Sequence, residues 1–475
     1  KGMVDGKVLA ARFAGAADFE TRKVISGGNE LEIFFLDGLT SGRDIADFIV
    51  RPLHEARQDE REETLFTRAE RGLVWCASMK KASSTDEAAE LLVNGFCVIL
   101  FPKSGKALGC EVKTGEKRSP SAPEAENTVK GAKDAFTETI RTNTSLIRRH
   151  LRTPELRLEE SVVGRRSLTK VTVCWVEGLT DPELPARMKK RLGEIDIDGL
   201  LSPAAVEEYV TGSRKTAFPL LEFTERTDHF CQGLLDGQVG LLVDGLPIGY
   251  LAPVSFGRLM RSPEDRATDY LSASMLRSLR YLALGVSLLL PGIYAAMAMF
   301  HQQMLPTKLL LSIIESKQDV PFSTLFEVVG LLCAFELLQQ AGLHLPQAIG
   351  TAVSIIGGLV VGTAAVDAKL VSPAALIVTA SSGICGFTLP NRELSDALRL
   401  WRLGLTVLGG VLGLFGVTAG LLLLLIKLAG LESLGRSYLA PFGEAEVKGA
   451  LVRERLAEQK WRDGMLRPID ERNQR

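Results

Sequence analysis

Two carboxylates stand where carboxylates are costly. Glu327 and Glu336 fall within the apolar stretch 322–342, and a charge in hydrocarbon costs on the order of 2.5–3.5 kcal/mol even on forgiving scales. Each therefore needs a partner, water or a function. They are nine positions apart, half a turn out of phase on an α-helix, so they do not share a face; Glu336 and Gln340 do. An ion or ligand pathway fits, and so does a tilted interfacial helix with its acids among headgroups. The next apolar stretch carries a second pattern. Gly350, Ser354, Gly358 and Gly362 recur every four residues, a stripe of small residues that lets helix backbones approach where lipid supplies no hydrophobic drive. Such a stripe packs helices, and around a shared axis it would line a pore.

Other constellations do not hold together. The run Phe101 to Lys106 hints at a phosphate loop, but Leu100 stands where the first glycine of G-x-x-x-x-G-K belongs. Asn143-Thr144-Ser145 matches a glycosylation sequon, which a cytoplasmic segment never presents to that machinery. Glu225, Asp228 and His229 have no partner at metal-binding spacing, and neither His54 nor His301 has a catalytic one. No catalytic residue, metal site or cofactor is therefore expected, and an enzyme is the least favoured class. The seven cysteines (Cys76, Cys97, Cys110, Cys174, Cys231, Cys333, Cys385) are scattered with no C-x-x-C pair, which fits a reducing compartment. A net charge of -1 gives no support for a nucleic-acid partner.

The elements that position these residues fall into a soluble part and a membrane part. Tyr281 to Phe300 and Gly404 to Ile426 carry no charge, and about 20 apolar residues in a helix match the ~30 Å hydrocarbon core. Candidate spans lie at about 281–300, 322–342, 347–366, 370–390 and 403–428, with a short amphipathic segment from Gln303 to Ile314. The soluble part reads as a duplication. Phe35-Leu36-Asp37-Gly38-Leu39-Thr40 is echoed by Trp175-Val176-Glu177-Gly178-Leu179-Thr180, and Leu91 to Phe101 by Leu234 to Val243, at offsets of 140 (37 to 177) and 142 (94 to 236). The expected fold is therefore a soluble α/β (α+β) region of two similar subdomains, followed by a membrane α-helical domain. The expected limits are residues 1–112, a linker and connecting helix over 113–164, the second subdomain over 165–275, the membrane domain over 276–430 and a charged tail over 431–475.

Local signals sharpen this. Lys113 to Asn127 is rich in Pro, Ser, Gly and charge and reads as a flexible linker. Phe136, Ile140, Ile147 and Leu151 fall at helical spacing, with Arg141, Arg148, Arg149 and Arg152 around them, which fits a membrane-surface or partner-binding helix and fits better a solvated face on a packed helix. Asp236-Gly237 and Asp244-Gly245 are both expected to turn hairpins. Arg258, Arg261, Arg266, Arg277 and Arg280 precede the first span, and the first thirty residues hold no apolar leader core, so residues 1–275 are expected in the cytoplasm. The side of the tail stays open: five crossings place it outside, four place it inside but leave Arg392, Arg399 and Arg402 outside.

The stretch Phe136-Thr137-Glu138 through Thr142-Asn143-Thr144-Ser145-Leu146-Ile147-Arg148-Arg149 is similar to a family pattern "aFtEs…tNisLiRrR", and Phe218-Pro219 through Thr224-Glu225-Arg226-Thr227-Asp228 to "FPq…TeRPD". Leu290 to Ala296, Ala341 to Pro346, Leu370-Val371-Ser372-Pro373 and Arg467-Pro468 with Asn473 and Arg475 also fit. Together they resemble the A subunits of spore germinant receptors, the GerA family, over nearly the whole chain. The chain departs from the pattern at Lys130 to Lys133, at Thr227 where a proline is usual and at His344 where an arginine is usual, as a stage V sporulation AF-type paralogue would. The resemblance implies a multi-pass protein of the spore inner membrane with both soluble ends cytoplasmic. It implies a homo-oligomer in contact with membrane lipid, working with a B-type transporter-like subunit and a C-type lipoprotein. Such A subunits are thought to conduct ions, while nutrients bind chiefly the B subunit. A non-conducting membrane scaffold is the alternative.

Overall fold

The computed structural model describes residues 3–56, 60–113, 123, 126, 130–212, 215–343, 362–442, 452–455, 457–462 and 464–473. Two five-stranded antiparallel sheets form the first part. The first holds β1 (Phe19–Ser26), β2 (Asn29–Leu36), β3 (Met79–Ala82), β4 (Phe96–Phe101) and β5 (Lys106–Glu111) in the order β1-β2-β4-β5-β3. The second holds β6 (Leu156–Val163), β7 (Thr169–Val176), β8 (Glu222–Thr224), β9 (Val239–Val243) and β10 (Gly249–Ala252) in the order β6-β7-β9-β10-β8. Strand for strand the orders are the same, and each fourth strand follows a helix, α1 (Thr85–Val93) in the first half. Every residue of β4 and of β9 is buried, so these central strands read as unbroken apolar runs rather than as alternations.

The echoed turns are equivalent. Gly38 and Gly178 take φ of 88° and 76°, a region open to glycine at no steric cost. The chain then folds back so that Thr40 N and Thr180 N donate to Leu36 O and Val176 O at 3.1 and 2.9 Å. Among the described residues, α2 (Ile140–His150) lies between the sheets in sequence, α3 (Glu183–Gly193) follows β7 and α4 (Thr227–Asp236) precedes β9. Two expectations need correction here. Asp236-Gly237 turns no hairpin: Gly237 caps α4, because the apolar run before it has helical rather than strand spacing. Asp244-Gly245 does sit in the β9–β10 connection, where Asp244 accepts from Ile140 N at 3.0 Å. Arg148 is not on a solvated face either, since it is 1% exposed.

The second part is helical: α5 (Tyr270–Met299), α6 (Thr307–Lys317), α7 (Thr324–Leu343), α8 (Pro373–Phe387) and α9 (Arg392–Ala429), with a further helical stretch over 362–367. By length and composition α5, α7 and α9 are each able to cross a membrane, and α8 is a shorter apolar helix. The Glu-bearing stretch 322–342 is thus one of the long apolar helices.

The stretch 403–428 is not a single span. At Gly413 φ is 66° and ψ is -152°, a conformation essentially restricted to glycine, and α9 folds back on itself there. A Cβ on Gly420 would lie 2.5 Å from Leu405 Cδ2, and one on Gly409 would lie 2.9 Å from Val417 Cγ2. Trp401 meets Lys427, with 5.9 Å between the ammonium and the ring centre. In a straight helix 15 residues separate positions by about 22 Å, so α9 is a hairpin of two antiparallel legs. Its tip touches the end of α5: a Cβ on Gly413 would lie 2.7 Å from the His301 ring. Both of its ends return to the sheets, where Leu394, Leu398, Leu424 and Leu428 share a core with Phe218, Leu220, Val254 and Tyr438.

The tail then docks on the second sheet. Ser433 Oγ donates to Leu220 O at 2.6 Å and accepts from Val254 N at 3.0 Å; Phe256 N donates to Tyr438 O at 2.7 Å and Ile469 N to Leu179 O at 2.9 Å. Both ends of the helical domain therefore meet the same sheet. A glycine turn, not a run of polar residues, divides the last apolar stretch.

Candidate functional site: charge pairs and a glycine seam in the helical domain

Glu327 sits one turn into α7 and is 2% exposed. Its partners come from two directions. Lys317, the last residue of α6, places Nζ 2.9 Å from Oε1, and the backbone N–H of Ser372 donates to Oε2 at 2.8 Å. Ser372 in turn caps α8 by accepting from Ala375 N, which the sequence Ser-Pro at a helix start favours. One carboxylate thus ties together α6, α7 and the start of α8. Nearby, Lys369 pairs with Asp319.

Glu336 is on another face of α7, as its phase requires, and meets Arg399 of α9 at 3.1 Å; Arg399 also reaches Asp396 at 3.2 Å. Arg402 extends the polar strip by donating to Ser382 Oγ of α8 at 3.4 Å, while Ser382 donates to Ser287 O of α5 at 2.7 Å. Arg399 and Arg402 lie on the leg of α9 that starts beside the sheets, so they need not be placed on the far side. Both acids pair with bases, as the buried Glu327 must in a low-dielectric setting, whereas Glu336 is half exposed. Of the expected stripe, Gly350, Ser354 and Gly358 lie outside the described residues. Gly362 is buried, and a Cβ there would lie 3.4 Å from Leu376 of α8.

A second small-residue seam went unread in the sequence. Gly292 of α5 and Gly409, Gly410, Gly413, Gly416 and Gly420 of α9 are where the helices come closest: added Cβ atoms at Gly292 and Gly410 would lie 2.9 Å from Leu405 O and 2.5 Å from Leu325 Cδ1. The signal was the run Gly409-Gly410-Val411-Leu412-Gly413-Leu414-Phe415-Gly416, in which spacings of three and four continue to Gly420.

The motif residues of the soluble part act as staples. Asn143 closes its own loop, accepting from Thr137 N at 2.8 Å and donating to Thr137 O at 2.6 Å, which buries the sequon amide. Arg148 grips Asp18 with Nε at 2.7 Å and Nη2 at 2.9 Å, joining α2 to the first sheet's leading strand. Arg226 holds Asp228 in the same bidentate way at 3.0 and 2.6 Å. His229 Nε2 lies 3.3 Å from Glu222, which also accepts from Arg258 Nε at 3.1 Å, and Arg258 reaches Asp236 at 3.1 Å. Burial disfavours both charged forms, yet Glu222 and Glu126 raise His229 to about 9, and His229 with Arg258 hold Glu222 down at about 2. Glu225 joins through its backbone, its N–H donating to Glu126 at 3.1 Å. Among the described residues no group of His, Cys, Asp and Glu could hold a metal ion. His54 ends a helical turn and His301 lies against Gly413. Lys103 and Lys106 flank the β4–β5 turn, where Lys103 donates to Asn29 Oδ1 and Ser104 N to Glu62; no phosphate cradle forms.

Residues 7–465 match the family model of the Bacillus/Clostridium GerA spore germination protein. The chain belongs to the GerA family. It is 33% identical to spore germination protein KA of Bacillus subtilis over 89% of this chain and 78% of that one. It is 30% identical to spore germination protein A1 of the same organism, over 90% and 88%, and 34% identical to the uncharacterized membrane protein YfkQ, over 89% and 82%. Among solved structures it is similar to the N-terminal domain of the A subunit of the Bacillus megaterium spore germinant receptor GerK3, at 25% identity and a TM-score of 0.41, covering 53% of this chain and 93% of that domain. In this GerA chain Thr227, where the family pattern of the resemblance has proline, is the first residue of α4. That position tolerates proline because its N–H has no helical partner; here the hydroxyl instead hydrogen-bonds to Asp134 at 2.8 Å.

Proposed function

We propose that this chain is the A-type subunit of a spore germinant receptor, set in the spore inner membrane with both the sheets and the tail in the cytoplasm. It forms homo-oligomers through its helical domain, works with B-type transporter-like and C-type lipoprotein subunits, and conducts ions to trigger germination. The single observation that supports this most is the attachment of both ends of a helical domain of membrane dimensions to one sheet. It fits a cytoplasmic sensor fused to a multi-pass unit and would pass movement of the sheets to α5 and α9 together. Reconstitution of the purified chain with its partner subunits into a planar bilayer tests conduction: ion currents are expected, and a silent bilayer containing intact oligomers sinks it. Gly358→Leu in the small-residue stripe is expected to disturb oligomer size on crosslinking or germination in spores, and Leu359→Ile to do much less. Cys76 is expected to resist a membrane-impermeant thiol reagent in intact cells and to react after lysis.

A non-conducting scaffold, or an AF-type paralogue supporting such complexes, is favoured by one observation. Glu327 and Glu336 are both held by bases rather than facing a path. Normal germination with no current from the reconstituted complex would select that reading.

A further inference from the structure

Helix α6 differs from its neighbours in the helical domain. It has 11 residues, about 16 Å of helix against a hydrocarbon core of ~30 Å, so it cannot cross. It sits at the end of the domain away from the sheets. There α5, which begins beside the soluble part with Arg280 on Asp265 at 2.9 Å, ends with His301 against the tip of the α9 hairpin. α6 follows after a short connection, and its last residue, Lys317, holds Glu327 near the start of α7 at 2.9 Å.

The exposure of its side chains follows their rotation about the axis. At about 100° per residue, Leu310 and Lys317 share the side of the buried Ile313, and this side faces the domain. Lys308, Ser312 and Glu315 fall on the other side and are exposed. Leu311 and Ile314 lie between, on one shoulder, and are 60% and 51% exposed. Among the described residues nothing covers that shoulder. A docked face, a bare apolar shoulder and a polar ridge, in that order around one short helix, suit a helix lying flat where acyl chains meet headgroups.

We propose that α6 lies in the plane of the membrane at this end of the domain, its Leu311–Ile314 shoulder set into the boundary between acyl chains and headgroups and its Lys308–Glu315 ridge in water. The occupant of the shoulder is the lipid of that leaflet, and the proposal rests on the reading of α5, α7 and α9 as membrane spans. Interfacial helices bury their apolar side to a depth of about 5–10 Å, which side chains of this length reach. Charge adds little. Lys317 is taken up by Glu327, and Lys308 and Glu315 cancel, so the attraction is apolar and calls for no anionic headgroup. Because Lys317 and the N–H of Ser372 both hold Glu327, the lipid plane also sets the level of that carboxylate and of the start of α8.

The test uses the full-length chain in lipid nanodiscs and four variants: Leu311→Trp, Ile314→Trp, Glu315→Trp and, on an exposed apolar position of α9, Leu422→Trp. Each is read as the difference from the wild-type chain, which shares the native tryptophans. The quenchers are phosphatidylcholine brominated near the headgroup end of its chains, the same lipid brominated deep in them, and acrylamide in water. Leu311→Trp and Ile314→Trp are expected to lose fluorescence most to the shallow bromines, Glu315→Trp to acrylamide and Leu422→Trp to the deep bromines. Part replacement by phosphatidylglycerol is expected to leave this pattern unchanged. With Leu422→Trp quenched by lipid, three results would each overturn the proposal alone: acrylamide quenching of the shoulder probes without a bromine effect, shielding of those probes from every quencher (as a second copy or another segment would give), or shoulder quenching that requires the anionic lipid. A Leu422→Trp probe that neither lipid quenches would overturn the membrane reading and the proposal together.

Discussion

In the first subdomain the interior between sheet and helices is apolar apart from a few groups at its margins, and its buried acid Asp18 is satisfied from outside, by Arg148 of α2. In the second subdomain the same strand order encloses a charged network of Glu222, His229, Arg258 and Asp236 on the side of β8 and α4. The two copies have been put to different uses. The second is the junction: the loop at Phe218 and Leu220 shares a core with α9, and Ser433 of the tail donates to Leu220 O, which brings the helical domain to the sheet. The first is held on by α2 and by β6, where Ala17 N donates to Leu158 O and Arg157 Nη1 to Arg12 O, each at 2.8 Å. A duplicated fold keeps its ladder, because the ladder is backbone chemistry, and varies in what its faces must satisfy.

The largest test of this contrast is Asp18→Ala. Removing one partner of a buried bidentate pair leaves Arg148 uncompensated and costs roughly 3–5 kcal/mol. Limited proteolysis of the full chain is expected to release the first subdomain early while the second and the helical domain stay intact; simultaneous loss of both would show that the halves form one cooperative unit.

A smaller effect concerns pH. His229 is raised from about 6.5 to about 9, so its contribution is complete below pH 6.5 and is lost as pH rises through 9. Glu222 is lowered from 4.5 to about 2, so its contribution is complete above pH 4.5 and fades as pH falls through 2. Between pH 6 and 9.5 the second subdomain is expected to lose roughly 2–3 kcal/mol, the linkage equivalent of the histidine shift. Denaturant unfolding of wild type and His229→Gln should show the slope in the former and a flatter profile in the latter. Equal slopes would remove His229 from the network.

The equivalent turns allow a direct comparison. A Cβ on Gly38 would lie 3.2 Å from Ser145 Cβ, whereas one on Gly178 meets nothing within 4 Å. Both substitutions to alanine incur the left-handed cost of about 1–2 kcal/mol, and Gly38→Ala is expected to lower the Tm further. The reverse order would mean that the turns are not packed alike. The smallest effect is Thr227→Pro: the first helical position accepts proline, and what is lost is the long N–H bond to Asp134 O at 3.5 Å and the hydroxyl's contacts to Asp134 and His150, together about 1–2 kcal/mol. A shift of more than a few degrees in Tm would give those contacts a larger role.

Much of this architecture was legible in the chain itself. The Asp-Gly-Leu-Thr and Glu-Gly-Leu-Thr turns marked equivalent strand ends because only glycine takes that backbone freely, and the apolar run Phe96 to Phe101 is β4 residue for residue. Apolar length alone marked α5 and α7. Local chemistry of that kind is written in consecutive residues. What the sequence could not decide depends on groups far apart along it. Arg148 looked solvated because Asp18, its partner, lies 130 residues away. Glu327 and Glu336 could have been a path or a liability until Lys317 and Arg399 were placed beside them. The stretch 403–428 looked like one span because hydropathy is indifferent to direction. Gly413 reverses the chain without interrupting its apolar character, and only the packing of Leu405 on Gly420 reveals that it does.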